Sequence, residues 1–149
     1  MRRFMLFMIP NVYQPDAPPG ERAEDGDAPP AEAVARMMTY NEALVTAGAL
    51  IALDGLYPRA RGARVACFGG KPNVTDGPFT AVKDVIGGYG MIQANSTEAT
   101  VAWARWCPAS DGDVLEVREV FERSDVPPDA QKAADNPTVR AQIEQRIGS

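Results

Sequence analysis

An α+β domain is predicted for this chain by the order of its patterned segments, by the two-sided apolarity of the first of them, and by the turn chemistry between the rest. The order reads strand, helix, strand, hairpin, strand, helix, strand, close to βαββαβ, which lays two helices over one face of an antiparallel sheet. Phe4 to Ile9 (FMLFMI) is apolar at every position, the pattern of a strand covered on both faces. Two helices cover only one of those faces. The other is therefore expected to meet a second copy of the chain in a two-fold homodimer.

Taken in order, the first strand stops at Pro10-Asn11, and residues 11–30 shift to Pro, Gly, Asp and Glu without any periodicity. That composition predicts a mobile solvated loop, with a lid over a site as the alternative. Helix one is expected from Pro30 to Ala47, with Gly48 after its end and a buried stripe of Val34, Met37, Met38, Asn41, Leu44 and Val45. Asn41 is the one polar member, so it needs a partner: a neighbouring backbone group, or a ligand in a cleft shared with Tyr40. Ala49 to Leu53 is a second strand, interrupted at Asp54-Gly55 and resumed at Leu56-Tyr57. Ala63 to Phe68, the turn Gly69-Gly70-Lys71-Pro72 and Val74-Thr75 form a hairpin. The Gly69-Gly70-Lys71 run lacks the spacing of a phosphate loop.

Asp76-Gly77-Pro78 marks a sharp turn, because each residue has a backbone reason to be in one. Val85 to Ile92 follows as a strand whose glycines permit a bulge or the close approach of another group. Asn95 or Ser96 caps helix two, which ends before Pro108 and buries Ala99, Ala102, Trp103 and Trp106. In Asp113 to Phe121 one face carries Leu115, Val117 and Phe121, and the other carries Val114, Glu116, Arg118 and Val120. Beyond Glu122 a polar tail leads to a short helix from Asn136-Pro137 to Ile147, with a narrow stripe of Val139, Ile143 and Ile147.

Composition excludes several chemistries. The 149 residues are 45% hydrophobic, enough for one core. Fifteen basic against twenty acidic residues give a net charge of −5, with no basic cluster to engage a phosphate backbone, so no direct nucleic-acid partner is expected. There is no histidine, which excludes a Ser-His-Asp triad, a Cys-His dyad and any His-ligated metal within the chain. Cys67 and Cys107 lack CxxC spacing and sit in apolar contexts, so both are expected as buried, reduced thiols. Neither a metal nor a cofactor is implied. The apolar run after Arg2-Arg3 is too short for a signal peptide, and no stretch is long enough to span a membrane, so a cytoplasmic protein with no membrane partner is expected.

Several of these stretches together resemble the YCII-related family, and in particular its DGPF branch. The motifs are Val74-Thr75-Asp76-Gly77-Pro78-Phe79 and Lys83-Asp84-Val85-Ile86-Gly87-Gly88-Tyr89-Gly90-Met91-Ile92, supported by Tyr40-Asn41-Glu42, Leu53-Asp54-Gly55-Leu56, Trp103-Ala104, Cys107-Pro108 and Glu116-Val117-Arg118. The resemblance spans residues 1–122 and leaves residues 123–149 as a tail. It implies a ferredoxin-like domain with an added hairpin that pairs into a dimeric α+β barrel. Two departures stand out. Ala81 occupies a position where the branch usually has an acid, and Gly90 one where an aromatic is common, which enlarges any pocket there. Some relatives are thought to use a His-Asp pair, and here Asp76 has no histidine to match.

What remains is Asp76 as a candidate general base or a turn cap, Lys83 or Arg118 as an electrostatic clamp, and polar groups at Tyr40, Asn41, Tyr89 and Glu116. Three functions fit these residues. The first is a dimer that binds a small molecule in a cleft near Asp76, and the second is a small-molecule enzyme using Asp76 without histidine. The third is a regulatory or interaction protein, suggested only by the tendency of DGPF genes to accompany extracytoplasmic-function sigma factors.

Overall fold

A computed structural model describes residues 1–24, 27–76 and 84–147, apart from the side chains of Ala60, Phe68, Asp76 and Ile147. The elements are β1 (Arg2–Ile9), α1 (Ala31–Thr46), β2 (Leu50–Gly55), β3 (Ala63–Phe68), β4 (Lys71–Asp76), β5 (Gly88–Ala94), α2 (Thr97–Trp106), β6 (Val114–Glu119), α3 (Pro128–Ala133) and α4 (Pro137–Ile147). Four strands form one antiparallel sheet in the order β2-β5-β1-β6. With α1 after β1 and α2 after β5, this is the predicted ferredoxin-like α+β topology. The added hairpin, β3 with β4, is a two-stranded sheet of its own.

β1 takes a central position because its continuous apolar run suits a strand with neighbours on both edges and side chains needed on both faces. On the helix side Phe4, Leu6, Ile92 and Ala94 meet Tyr40, Leu44 and Ala49 in the core, with Trp103 and Val117 packed against it. The helix boundaries follow the sequence closely. Pro30 precedes α1, and the Ser96 hydroxyl caps α2 by accepting the Ala99 N–H at 3.1 Å.

The buried faces differ from expectation. α1 turns Met37, Tyr40, Asn41 and Leu44 inward, while Val34, Met38 and Val45 are exposed. The helix is rotated so that Tyr40 can lay its ring edge-on against Trp103, with centroids 6.4 Å apart. In α2 the fully buried residue is Thr100, whose hydroxyl donates to the Ser96 carbonyl at 3.0 Å and so needs no water. Trp106 is 72% exposed and only stacks edge-on against Trp103. Phe121 lies past the end of β6 and is exposed rather than on its buried face.

β2 runs unbroken through Asp54-Gly55, because both residues pair with β5 and the Tyr89 hydroxyl donates to Asp54 Oδ2 at 2.6 Å. The sheet's irregularity falls between Leu50 and Ala52 of β2 rather than in the glycines of β5. The glycine just before β5 serves the other expected purpose. A Cβ on Gly87 would stand 2.4 Å from the Pro10 ring, so glycine alone permits that approach. β5 itself begins only at Gly88, and Val85 is fastened differently: the Gln14 side-chain amide accepts its N–H and donates to its carbonyl, at 2.9 and 3.0 Å. Within residues 11–30, Tyr13 donates to the Leu56 carbonyl, Asn11 N–H to Asp113, and Ala17 is buried.

The hairpin turns through Gly69 and Gly70, both at positive φ (59° and 78°), the arrangement that matches strand twist. Cys67 and Cys107 are both free, as expected, but Cys67 is exposed. The reason is that β3 and β4 stand as a separate pair, with no second layer over this face among the described residues.

At the other end of β1 two arginines fasten the chain beyond β6. Arg3 makes a bidentate pair with Glu122 (2.8 and 3.0 Å), and Arg2 bonds both Glu119 and Asp125. The hydrogen bond from Arg3 holds the Glu122 carboxyl below its usual range, and Arg2 does the same for Asp125. Both folded values are depressed, so their contribution is complete above the ordinary carboxylate range and is lost as pH falls through the folded values. We therefore expect Arg3→Ala to lower stability by a constant amount at neutral and alkaline pH and to leave the acid limit unchanged, which flattens the acid slope of the profile. Urea midpoints measured from neutral to acid pH check this, and an unchanged acid slope would contradict it. Partly exposed pairs of this kind are individually modest.

Candidate functional site

A cavity of about 190 Å³ lies between α1 and the sheet. Its existence follows from register. Leu6 of β1 and Leu53 of β2 both oppose Gly90 of β5, so at that register position the middle of three adjacent strands has no side chain on the helix face. A Cβ at Gly90 would meet nothing within 4 Å. Leu6, Met8, Leu53, Ile92 and Leu115 wall the sheet side, Met37, Tyr40, Asn41 and Leu44 the helix side, and Cys107 closes one end.

The polar groups at this cavity are few. The Tyr40 hydroxyl donates to the Trp103 carbonyl at 3.0 Å, and burial, with Cys107 nearby, pushes its pKa up to about 12, so it stays neutral. Asn41 is 8% exposed and lines the cavity. Its Nδ2 has a 3.9 Å contact to Met38 Sδ, and among the described residues its side chain has no other hydrogen bond. A thioether is a weak acceptor. The backbone partner expected for Asn41 is not found among the described residues.

Burial, with a smaller push from Asp113, raises the Cys107 thiol to about 11, so it remains protonated and slow toward electrophiles. Cys67 is exposed. A disulfide reagent at mildly alkaline pH should therefore show one fast and one slow thiol, with Cys67→Ser removing the fast phase. Two equally fast phases would mean that Cys107 is open to solvent.

The sequence candidates divide between two faces of the sheet. Tyr40 and Asn41 come together at the cavity. Glu116 and Arg118 lie on the opposite face, exposed and ion-paired at 3.1 Å, and Tyr89, opposite Phe7 in register, shares that face by alternation. The backbone of Tyr89 borders the cavity, but its hydroxyl is bonded to Asp54, which raises its pKa. One cleft within a single chain cannot hold both groups. Asp76 ends β4, with its side chain outside what is described, and Lys83 and the turn from Gly77 onward lie outside the described residues. Met8, Leu53 and Cys107 were not among the site residues the sequence pointed to. The alternation of Leu6 and Met8 on one face of β1 was the available signal for the first.

Among the described residues no group of three or more His, Cys, Asp or Glu side chains is placed to hold a metal ion, and no helix is long and apolar enough to cross a membrane. No curated protein matches the sequence. The model of the YCII-related domain matches residues 5–124, a span that takes in α1, α2, the hairpin, almost all of the four-stranded sheet and Glu122 of the Arg3 pair. With that match over most of its length, the chain belongs to the YCII-related domain family.

Proposed function

We propose that this protein binds a small, uncharged, largely apolar molecule in the cavity between α1 and the sheet, holding one polar group of it on Asn41. The observation that carries this is the Asn41 amide, more than nine-tenths buried at an apolar cavity with only a sulfur contact. A thioether satisfies that amide only weakly, and a ligand carbonyl or hydroxyl would give it a full hydrogen bond. The cavity is slightly larger than the ~150 Å³ apolar cavity known to take benzene, so the ligand is a single ring or a short branched chain. Charge is disfavoured because no Lys or Arg lines the cavity among the described residues and the Asp54 carboxylate is engaged by Tyr89.

The test is a thermal-shift and calorimetry panel of single-ring and short-chain amides, alcohols and lactones against wild type and Asn41→Leu. The variant should bind the best hit about 10- to 100-fold more weakly, the range for one buried hydrogen bond, while unfolding at the same temperature or higher. Equal binding by both proteins would remove Asn41 from the site. Asp76 as an acid or base has no described side-chain geometry behind it, and the binding reading does without it.

The protein is further proposed to act as a homodimer joined through the sheet face opposite the helices. Met5, Phe7 and Met91 alternate onto that face, and α1 and α2 pack on the other.

A further inference from the structure

Beyond Gly90 the floor of the cavity stays bare toward one end of the sheet. Gly90 opposes Leu53, and Gly88 opposes Gly55, so by alternation all three glycines share the helix face with Leu53. Gly55 is not at positive φ, and a Cβ there would meet nothing within 4 Å. Glycines inside paired strands mark places where another group comes close to the backbone.

The bare strip leads to a second space. Gly55 and Gly87, which border the cavity beside Asn41, also border a larger cavity of about 810 Å³. That outer cavity lies past the ends of β1 and β2 and reaches Pro30, the residue before α1. The helix wall of the inner cavity begins at Met37, about two turns further along α1, so the two spaces follow one another along the helix and meet at Gly55. The outer wall is fastened: the Tyr13 hydroxyl donates to the Leu56 carbonyl at 3.0 Å, the Ala23 N–H donates to the Val12 carbonyl at 2.9 Å, and the Pro10 ring lies close over Gly87. Of the charged residues that line it among those described, Glu21 and Asp27 are acidic, and Arg22 is turned onto the Ala17 and Pro15 carbonyls. A hydrogen-bond donor therefore suits this space better than a carboxylate.

We propose, on the strength of ligand binding at Asn41, that the molecule held there carries an unbranched extension. The extension runs over Gly88 and Gly55 into the outer cavity and ends in a hydroxyl or an amine. Branching is disfavoured because the strip is the width of one missing side chain.

The probes are homologues of the best panel compound, with unbranched alkyl chains of increasing length attached away from the polar group that Asn41 holds. Each chain ends in a hydroxyl, an amine or a carboxylate. Calorimetry on wild type is expected to show affinity rising about two- to fourfold with each added methylene until the chain clears Gly55, then levelling. The hydroxyl and amine series should bind more tightly than the carboxylate series. Gly55→Leu, confirmed as folded by circular dichroism, is expected to bind the parent compound as wild type does and to lose the gain from the chain. Gly55→Ala, whose methyl group has open space, should lose part of that gain if leucine unfolds the strand. A parent compound that binds while added chain contributes nothing would overturn the extension and leave Asn41 as the ligand's partner. Equal weakening of parent and chain compounds in folded Gly55→Leu would overturn it as well, as would a carboxylate series that binds as tightly as the other two. If no compound in the panel binds wild type, the Asn41 site and its extension fall together.

Discussion

Phe4→Ala is expected to cost about 3 to 5 kcal/mol of stability, the range for deleting a fully buried phenyl ring. Phe4 is 1% exposed on a strand with neighbours on both edges, opposite Ile92 in one register and Glu119 in the other. Its ring belongs to the cluster with Leu44 and Ile92, and neither a helix nor a strand can close the space without losing its other contacts. Set against a total of about 5 to 15 kcal/mol for a domain of this size, that loss removes a large part of the stability. A fall of roughly 10 °C in unfolding temperature corresponds to it. Phe121 is the control. It is the same residue type at 81% exposure, so Phe121→Ala should change stability by no more than about 0.5 kcal/mol. Comparable losses in the two variants, measured by urea unfolding, would mean that the core is not centred on β1.

That pair of phenylalanines also marks how far the sequence could be read. Phe4 was legible because it sits in an unbroken apolar run, a pattern only a covered strand needs. The helix ends were legible too, since Pro30, Ser96 and Pro108 act through the local backbone. Phe121 was misplaced because alternation from Leu115 and Val117 extends onto its face only if the strand continues, and β6 stops at Glu119. The rotation of α1 was hidden for a related reason. Met38 and Val45 outrank Tyr40 in hydropathy, but an aromatic ring with a satisfied hydroxyl fills the space beside Trp103, and that partner lies 63 residues away. Trp106 read as core by the same scale, although only one face of α2 reaches the sheet.

The candidate site was half legible. Asn41 stood out as the one polar member of an apolar stripe, with Tyr40 beside it, and Gly90 as a glycine where relatives commonly have an aromatic. What links them is the register that sets Gly90 between Leu6 and Leu53, and register between strands so distant in sequence is not written in any local pattern. Glu116 and Arg118 were grouped with them on charge alone, and the pleat sends them to the other side of the sheet.

Gly90 therefore offers the second large effect. Glycine inside a strand contributes no packing and loses more backbone freedom on folding than any other residue. Gly90 is not at positive φ, so an L-residue fits its backbone, and space for a Cβ is open. Gly90→Ala is accordingly expected to raise stability by about 0.4 to 1 kcal/mol. Gly90→Leu should send its side chain into the cavity between Leu6 and Leu53 and occupy the volume that the ligand needs. Binding of the best panel compound is expected to weaken at least about 100-fold, or roughly 2.7 kcal/mol, with the protein still folded by circular dichroism. The smaller variant guards the experiment: if leucine overfills the space and unfolds the chain, alanine should still weaken the largest ligands more than the smallest, which shared misfolding would not do. Undiminished binding by a folded Gly90→Leu would place the ligand elsewhere, and the glycine would then be left with a cost to the sheet and no use.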